Sequence, residues 1–282
     1  MAAFTVNDAL TKIVVQTHPV GETMFVRGLI TIVMIGTVLA VFRQIRLVPK
    51  AVTGPVILRS IFDAVASATF ITALGHMGLA ELSAIVLASP LIMTMLAVLL
   101  FKEPVGWRRW GAIVVGLAGT MFVVKPNPFA LDAWALLGLG AALGAASRDL
   151  ATLRIDSTIP TLVIAIFSAL ALTATGFLLG IRESWIPLRL DVLAILATAA
   201  FLYSVATYLL VLAFRSVEVS VVSPFRYGLL LWAGIAGYAV FGDIPDGWSI
   251  AGSALIVASG LYTLHRETVR HRYLSAKATA DL

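Results

Sequence analysis

Long segments that are apolar along their whole length restrict the fold of this chain more than any other feature of its sequence. A transmembrane α-helix needs about 20 predominantly apolar residues to cross a bilayer. These segments lack the polar stripe of a soluble helix, and the short alternating strands of a β-barrel are missing. Ten such segments can be delimited, at residues 3–16, 22–42, 55–75, 79–101, 109–125, 132–153, 160–181, 191–213, 217–241 and 248–265. We therefore predict an all-α integral membrane protein with ten transmembrane helices.

The composition agrees with this prediction and excludes other classes. Of the 282 residues, 60% are apolar and 12% are charged, whereas a soluble domain is about 25% charged. The net charge of +5 arises mostly from basic residues in short loops and near the C-terminus, as topology signals do. Because the chain has no cysteine, thiolate metal sites and disulfides are excluded. We predict no cofactor, no metal and no nucleic-acid partner; the expected partners are the lipid bilayer and a small-molecule substrate.

The distribution of lysine and arginine predicts the orientation in the membrane. With a cytoplasmic N-terminus, the inner segments hold twelve basic residues and the outer loops hold three. The inner ones are Arg43, Arg46, Lys50, Lys102, Arg108, Arg109, Arg154, Arg215, Arg266, Arg270, Arg272 and Lys277, and the outer ones are Lys125, Arg182 and Arg189. The positive-inside rule then places both termini in the cytoplasm, with residues 266–282 as a basic tail. No cleavable signal sequence is evident, so residues 1–16 are expected to form a retained first helix.

The two halves of the sequence match each other at a spacing of 140 to 141 residues. The matched pairs, in the same order along both halves, are Asp8 with Asp149, Pro19 with Pro160, Ala73 with Ala213, Ser83 with Ser223, Phe101 with Phe241, Glu103 with Asp243, Gly111 with Gly252 and Gly119 with Gly260. Because each half holds five spans, the second half enters the membrane from the opposite side. Such inverted repeats are typical of secondary transporters, whose substrate sites lie between the repeats near the midplane. We predict a first repeat at 1–126 and a second at 127–265; a duplicated membrane enzyme or scaffold is the alternative.

Charged residues inside the spans are candidates for transport, because each costs about 2.5 to 3.5 kcal/mol at a helix centre unless it faces a partner or a watery cavity. The candidates for coupling or gating are Asp8, Lys12, Arg59, Asp63, Arg148 and Asp149. Asp8 and Asp149 are the repeat-related pair among them. We expect these two to be gate or packing residues, with a role in coupling or substrate contact as the second hypothesis.

Local ion pairs are the alternative to a transport role for these charges. Asp8 and Lys12 are one helical turn apart and could pair within the first helix. Arg59 and Asp63 have the same spacing in the third span. Arg27 lies early in the second span and could pair with Glu22 or Glu81. The sequence does not choose between these two partners.

The segment SPFRY at residues 223–227 is the candidate substrate site, about 9 to 15 Å below the surface at 1.5 Å per residue. Proline frees a backbone carbonyl, which at membrane depth must be satisfied by a polar group or water. The arginine offers five donors in a rigid fork, and aromatic rings offer stacking faces. The predicted substrate-binding residues are Phe70, Tyr203, Ser223, Pro224, Phe225, Arg226, Tyr227 and Trp232. The alternative is that Arg226 pairs with a buried carboxylate and that Trp232 faces lipid.

Two long segments carry a family resemblance. ALGHMGLAELSAIVLASPLIMTMLAVLLFKEPVGWRRWGAIVVGLAGTMFVV and AFRSVEVSVVSPFRYGLLLWAGIAGYAVFGDIPDGWSIAGSALIVASGLY resemble the two repeats of the drug/metabolite transporter superfamily, in its EamA-type ten-helix branch. Their shared features are small residues in the fourth and ninth spans, a following F-x-E/D element, and a Gly-rich fifth and tenth span. NDALTK, SRDLAT at 147–152, TIPTL at 158–162 and VSPFRY at 222–227 are similar to a bacterial subgroup that contains riboflavin importers and S-adenosylmethionine uptake carriers.

The resemblance implies a transporter of the bacterial inner membrane that works by alternating access, as a monomer or homodimer. Its central site would be lined by spans 1, 3, 4, 6, 8 and 9. Riboflavin uptake is the first substrate hypothesis, and S-adenosylmethionine uptake and export of amino acids or other metabolites are the alternatives. No HExxH, G-x-S-x-G or P-loop motif occurs, so we predict neither an enzyme nor an ATP-driven pump. A membrane scaffold protein is the non-transport alternative.

Overall fold

The computed structural model describes residues 1–101, 107–124, 133–216 and 225–280, and every regular element in these ranges is helical. The α-helices are α1 Ala2–Val15, α2 Val20–Val41, α3 Gly54–Leu74, α4 Leu79–Val86, α5 Ser89–Phe101, α6 Trp107–Val124, α7 Ala133–Thr152, α8 Thr161–Gly180, α9 Leu190–Ser216, α10 Gly228–Ala236 and α11 Gly247–Ala280. Short 3₁₀ turns at Gln44–Leu47 and Pro49–Ala51 join α2 to α3, and a π-helical turn at Gly237–Phe241 follows α10. Outside the described residues lie Lys102, Glu103, Lys125, Ser223 and Pro224, which carry predictions made above.

Five helical stretches of the described chain are long and apolar enough to cross a membrane. They are Val20–Val41, Gly54–Leu74, Leu79–Leu100, Thr161–Gly180 and Leu190–Ser216, and Trp110–Val124 and Gly228–Phe241 are shorter apolar helices. Large apolar side chains such as Val33 and Leu99 are exposed on their outer faces, as a surface against lipid tails requires. The predicted class, an all-α multi-pass membrane protein, is confirmed. The number of ten spans stays a prediction.

The helix boundaries follow the residues that interrupt helical hydrogen bonding. Pro19 and Pro160, matched in the repeat, have the same place in the fold, since each is the extended residue that precedes a helix, α2 or α8. The predicted fourth span is interrupted at 87–88, where α4 ends and α5 begins. The predicted tenth span lies in α11, which does not stop at 265 but continues to Ala280 through the predicted basic tail.

The helices pack in pairs that match between the two halves. α2 packs along α8, and α6 packs along α11. α1 lies against α9 and α3 against α7, so exchanging α1 with α7 and α3 with α9 maps one contact onto the other. Glycines allow the close approaches: a Cβ on Gly119 of α6 would lie 2.8 Å from the carbonyl oxygen of Gly252 on α11. This packing leaves a space between α1, α3, α7 and α9.

Candidate functional site

A cavity of about 130 Å³ lies inside the helix bundle. Its charged lining consists of Asp8, Arg27, Asp63, Arg148 and Arg226, and its aromatic lining consists of Phe4, Phe70 and Tyr203. The lining residues come from α1, α3, α4, α7, α9 and the segment 225–229. These elements lie in the predicted spans 1, 3, 4, 6, 8 and 9, which were expected to line the central site. α2 contributes as well, through Arg27. The bundle of apolar helices therefore encloses a cavity that is lined in part by charged side chains.

Five charged residues form one continuous network that crosses from α3 through α7 to the residues before α10. Arg226 Nη1 donates to Asp149 Oδ2 at 2.6 Å, and Arg148 Nε donates to Asp149 Oδ1 at 2.9 Å. Arg148 Nη1 donates to Asp63 Oδ1 at 3.0 Å, and Arg59 Nη1 lies 3.7 Å from Asp63 Oδ2. We call these five residues the charge network. It contains three cations and two carboxylates in alternation, so each carboxylate has a cation on both sides.

Uncharged polar groups satisfy the remaining donors of the charge network. Arg226 Nη2 donates to Ser89 Oγ at 3.0 Å. Arg59 Nε donates to Thr152 Oγ1 at 3.0 Å, and Arg59 Nη1 donates to Ser168 Oγ. The Tyr203 hydroxyl donates to Asp63 Oδ2 at 3.4 Å. Because a buried charge is stable only when it is paired and hydrogen-bonded, these contacts explain how the network persists inside the bundle.

A second polar group surrounds Arg27, between α1 and α2. Arg27 Nη1 donates to Asn7 Oδ1 at 3.1 Å and to Thr11 Oγ1 at 3.0 Å, and the guanidinium carbon lies 5.2 Å from the Tyr203 ring centroid. Asn7 Nδ2 in turn donates to Asp8 Oδ1 at 2.9 Å. Arg27 is 2% exposed, and its Nε has no hydrogen-bond partner in the described chain.

The expected pairing of Arg27 with Glu22 or Glu81 does not occur in this structure. Glu22 Oε2 accepts a hydrogen bond from the backbone N–H of Ile186 at 3.0 Å, and Glu81 Oε1 accepts one from Ser249 at 3.1 Å. Both carboxylates thus stabilise helix ends and their connections. Arg27 turns inward, toward α1.

Lys12 pairs with a distant carboxylate and not with Asp8, the possible partner within the same helix. Its Nζ lies 2.9 Å from Asp243 Oδ2 and 4.5 Å from the centroid of the Phe241 ring. Asp243 follows the π-helical turn and Gly242, whose φ of +69° favours glycine. The contact ties α1 to the chain after α10.

The structure places the aromatic residues that were predicted to bind substrate in three different environments. Phe70 and Tyr203 line the cavity. Phe225 and Trp232 are 73% and 46% exposed and lie outside the lining. Tyr227 packs among apolar side chains of α4, α6 and α11, and its buried hydroxyl has no partner in the described chain. Of segment 223–227, Arg226 is the described residue that reaches the cavity, and Ser223 and Pro224 lie outside the described residues.

Apart from Tyr203, sequence reasoning missed the uncharged members of both polar groups. Thr11 and Thr152 match at the repeat spacing, and each accepts a hydrogen bond from a buried arginine. Ser89 precedes a proline in the first half, just as Ser223 does in the second. These two recurrences are the sequence signals from which the residues could have been predicted.

The fold and the site define a helical membrane protein with a charged internal cavity. Residues 1–125, which lie within the first repeat predicted from the sequence, are similar to the EamA-like transporter family.

Three relatives carry descriptive names. The riboflavin transporter of Vibrio cholerae is 29% identical over 189 residues, which cover 67% of this chain and 63% of the relative. The S-adenosylmethionine uptake transporter of Rickettsia bellii is 27% identical over 178 residues, which cover 63% of this chain and 61% of the relative. The pseudopaline exporter CntI of Pseudomonas aeruginosa is 25% identical over 261 residues, 91% of this chain and 90% of the relative. The chain thus matches less than two thirds of the length of the first two relatives.

Proposed function

We propose that this chain is a secondary transporter that moves a small organic metabolite across the bacterial inner membrane by alternating access. The observation that carries this proposal is the charged cavity inside a bundle of apolar helices. Charges at membrane depth are costly, so they are retained mainly where they serve substrate or ion movement. The family and the named relatives support the same activity.

The proposed architecture has ten spans in two inverted repeats, 1–126 and 127–265, with both termini in the cytoplasm. The matched helix pairs support it, because α1 with α9 and α3 with α7 are the contacts that a two-fold axis between the repeats would exchange. The excess of basic residues in the inner segments supports the orientation.

In this orientation the two ion-paired regions lie toward opposite sides of the membrane. The charge network lies toward the cytoplasmic ends of α3 and α7, and the Lys12–Asp243 pair lies toward the outer ends of α1 and α10. We infer that they act as inner and outer gates, which close the cavity alternately. Each gate joins helices of both repeats, so opening one requires the repeats to move against each other.

Riboflavin and S-adenosylmethionine are the two candidate substrates. Riboflavin is supported by the name of the Vibrio cholerae relative and by Phe4, Phe70 and Tyr203, whose rings could contact a flavin. S-adenosylmethionine is supported by the name of the Rickettsia bellii relative. The direction of transport is a separate question. The Pseudomonas aeruginosa relative, which matches over 90% of its length, is named an exporter. A reversible carrier moves its substrate down whichever gradient exists.

Uptake into proteoliposomes tests the proposal. We expect saturable uptake of labelled riboflavin or S-adenosylmethionine, with competition by an excess of the same unlabelled solute. Asp149→Asn should reduce uptake at least tenfold, because it removes one carboxylate from the charge network. Asp191→Asn is the matched control, since Asp191 lies in an exposed pair with Arg189. Wild-type uptake by the Asp149→Asn variant would contradict the gate assignment.

A scaffold protein would need no cavity that opens to water, and the cysteine-free chain allows a direct test. Ala145 lines the cavity, whereas Ala142 on the same helix is fully buried and does not. In a transporter, a membrane-impermeant thiol reagent should modify Ala145→Cys and substrate should slow the modification. Ala142→Cys should stay unmodified. If the thiol reagent modifies neither cysteine under any condition, the scaffold alternative is favoured.

A further inference from the structure

Asp8 and Arg27 differ from the other charges of the cavity because neither has an ion-pair partner among the residues that the structure describes. In the described part of the chain, no cation lies within 4.0 Å of the Asp8 carboxylate and no carboxylate lies within 4.0 Å of the Arg27 guanidinium. Both line the cavity. Asp63, Asp149, Arg148 and Arg226 have such partners and need no ligand to neutralise them.

A single amide separates the two unpaired charges. Asn7 donates from Nδ2 to Asp8 Oδ1 at 2.9 Å and accepts at Oδ1 from Arg27 Nη1 at 3.1 Å. This bridge keeps the two charges near each other but beyond ion-pair distance. A carboxylate and a guanidinium that are separated in this way each keep unused hydrogen-bonding capacity toward the cavity.

Arg27 in particular lacks partners for part of its donor set. Both of its hydrogen bonds to side chains leave from Nη1, and Nε is buried without a partner in the described chain. Leaving donors of a buried charged group unsatisfied costs free energy, so a carboxylate that pairs with the Arg27 guanidinium from the cavity gains affinity.

We infer that Asp8 and Arg27 form a head-group subsite for a zwitterionic α-amino acid, with the substrate carboxylate on Arg27 and its ammonium on Asp8. In an α-amino acid these two groups are a few bonds apart, comparable to the spacing that one side-chain amide spans in the protein. An anion alone would leave Asp8 without a counter-charge, and a cation alone would leave Arg27 without one. A zwitterionic head group neutralises both and adds no net charge to the subsite itself.

The apolar and aromatic lining would receive the rest of such a substrate. Phe4 is one turn before Asp8 on α1, and Phe70 and Ile71 of α3 face the same cavity. This inference rests on the proposed transport function and ranks its two candidate substrates. S-adenosylmethionine carries an α-amino acid head group, whereas riboflavin has neither an ammonium nor a carboxylate.

Ligand analogues test the subsite on the wild-type protein without any substitution. The probes are S-adenosylmethionine, L-phenylalanine, phenylethylamine, which lacks the carboxylate, and 3-phenylpropanoate, which lacks the ammonium. Thermal stabilisation of the purified full chain in detergent reports binding independently of transport. We expect stabilisation by both amino acids, and at least tenfold weaker binding of the amine and the acid than of phenylalanine. Equal binding of phenylalanine and either analogue, or binding of riboflavin alone, would overturn the inference.

Two variants connect each charge to its half of the head group. Arg27→Gln should abolish the preference for phenylalanine over phenylethylamine, and Asp8→Asn should abolish the preference over 3-phenylpropanoate. Arg27→Lys keeps the positive charge and should keep part of the preference for phenylalanine over phenylethylamine. It takes the place of Arg27→Gln as the test if Arg27→Gln does not fold. Arg189→Gln, at a site 82% exposed, is the control and should bind as wild type. If both preferences survive in both variants, the head group binds elsewhere.

Failure of this inference can be told apart from failure of the transport proposal. Zwitterion binding without uptake of any labelled solute into proteoliposomes would retain the subsite and contradict transport. Uptake of riboflavin with no effect of amino acids would retain transport and contradict the subsite.

Discussion

Removal of Asp149 should strongly destabilise the protein, because this carboxylate lies between two arginines. It is 1% exposed and accepts hydrogen bonds from Arg226 at 2.6 Å and from Arg148 at 2.9 Å. In Asp149→Ala, Arg148 keeps Asp63, but among the described residues Arg226 keeps the hydroxyl of Ser89 and the ring of Phe214 and has no carboxylate. Stranding one buried charge in this way costs about 3 to 5 kcal/mol. We therefore expect the free energy of unfolding to fall by about 3 kcal/mol or more.

A double-substitution cycle measures the part of this loss that comes from the ion pair. Arg226→Met removes the stranded cation, so Asp149→Ala combined with Arg226→Met should be more stable than Asp149→Ala alone by at least about 1 kcal/mol. The assay is unfolding of the purified variants in mixed micelles, followed by circular dichroism. Exposed Asp191→Ala serves as the control and should change stability by less than about 0.5 kcal/mol. If the two substitutions are additive, Asp149 and Arg226 are not coupled and the charge network is not a unit.

Three further predictions concern residues away from that network. Reversing the outer pair one residue at a time, with Lys12→Asp or Asp243→Lys, should reduce uptake into proteoliposomes, and the double reversal should recover part of it; no recovery would mean that the pair is not a gate. Phe225→Leu and Trp232→Leu should leave substrate affinity in a competition assay within about twofold of wild type, because both side chains lie outside the cavity lining; a tenfold loss would restore the site predicted from sequence. Tyr227→Phe should be neutral or raise the melting temperature, since it removes a buried hydroxyl that has no partner in the described chain, and a fall of several degrees would reveal a missed partner.

The fold class could be predicted from the sequence because the bilayer imposes it. The length of an apolar helix is set by the thickness of the hydrocarbon core, so the limits of α2, α3 and α8 fall within two residues of the predicted spans. The interruption at 87–88 was not predicted, because the segment 79–101 is apolar throughout and hydropathy does not register a local break. Ser89 and Pro90, at the start of α5, mark the break in retrospect.

The charged residues of the site were predictable and their partners were not. Charges within apolar spans stand out because each is costly, and this cost singled out every member of the charge network. Partner choice depends on how helices distant in the sequence come together, which is why Lys12 was not linked to Asp243, 231 residues away. The direction in which Trp232 faces could not be predicted either, because its helix, Gly228–Ala236, is apolar on all sides and has no polar stripe to orient it.

The position of the two unpaired charges also indicates how substrate could act on the gates. Asp8 lies one turn before Lys12 on α1, so the inferred head-group subsite and the outer ion pair are carried by the same helix. A ligand shifts a conformational equilibrium only by as much as it binds one state better than the other. A zwitterion that bridges Asp8 on α1 to Arg27 on α2 would bind best where these helices hold both charges at the right spacing. A movement of α1 relative to α2 that opens the Lys12–Asp243 contact would change this spacing, and in that case substrate and outer gate would be coupled through α1.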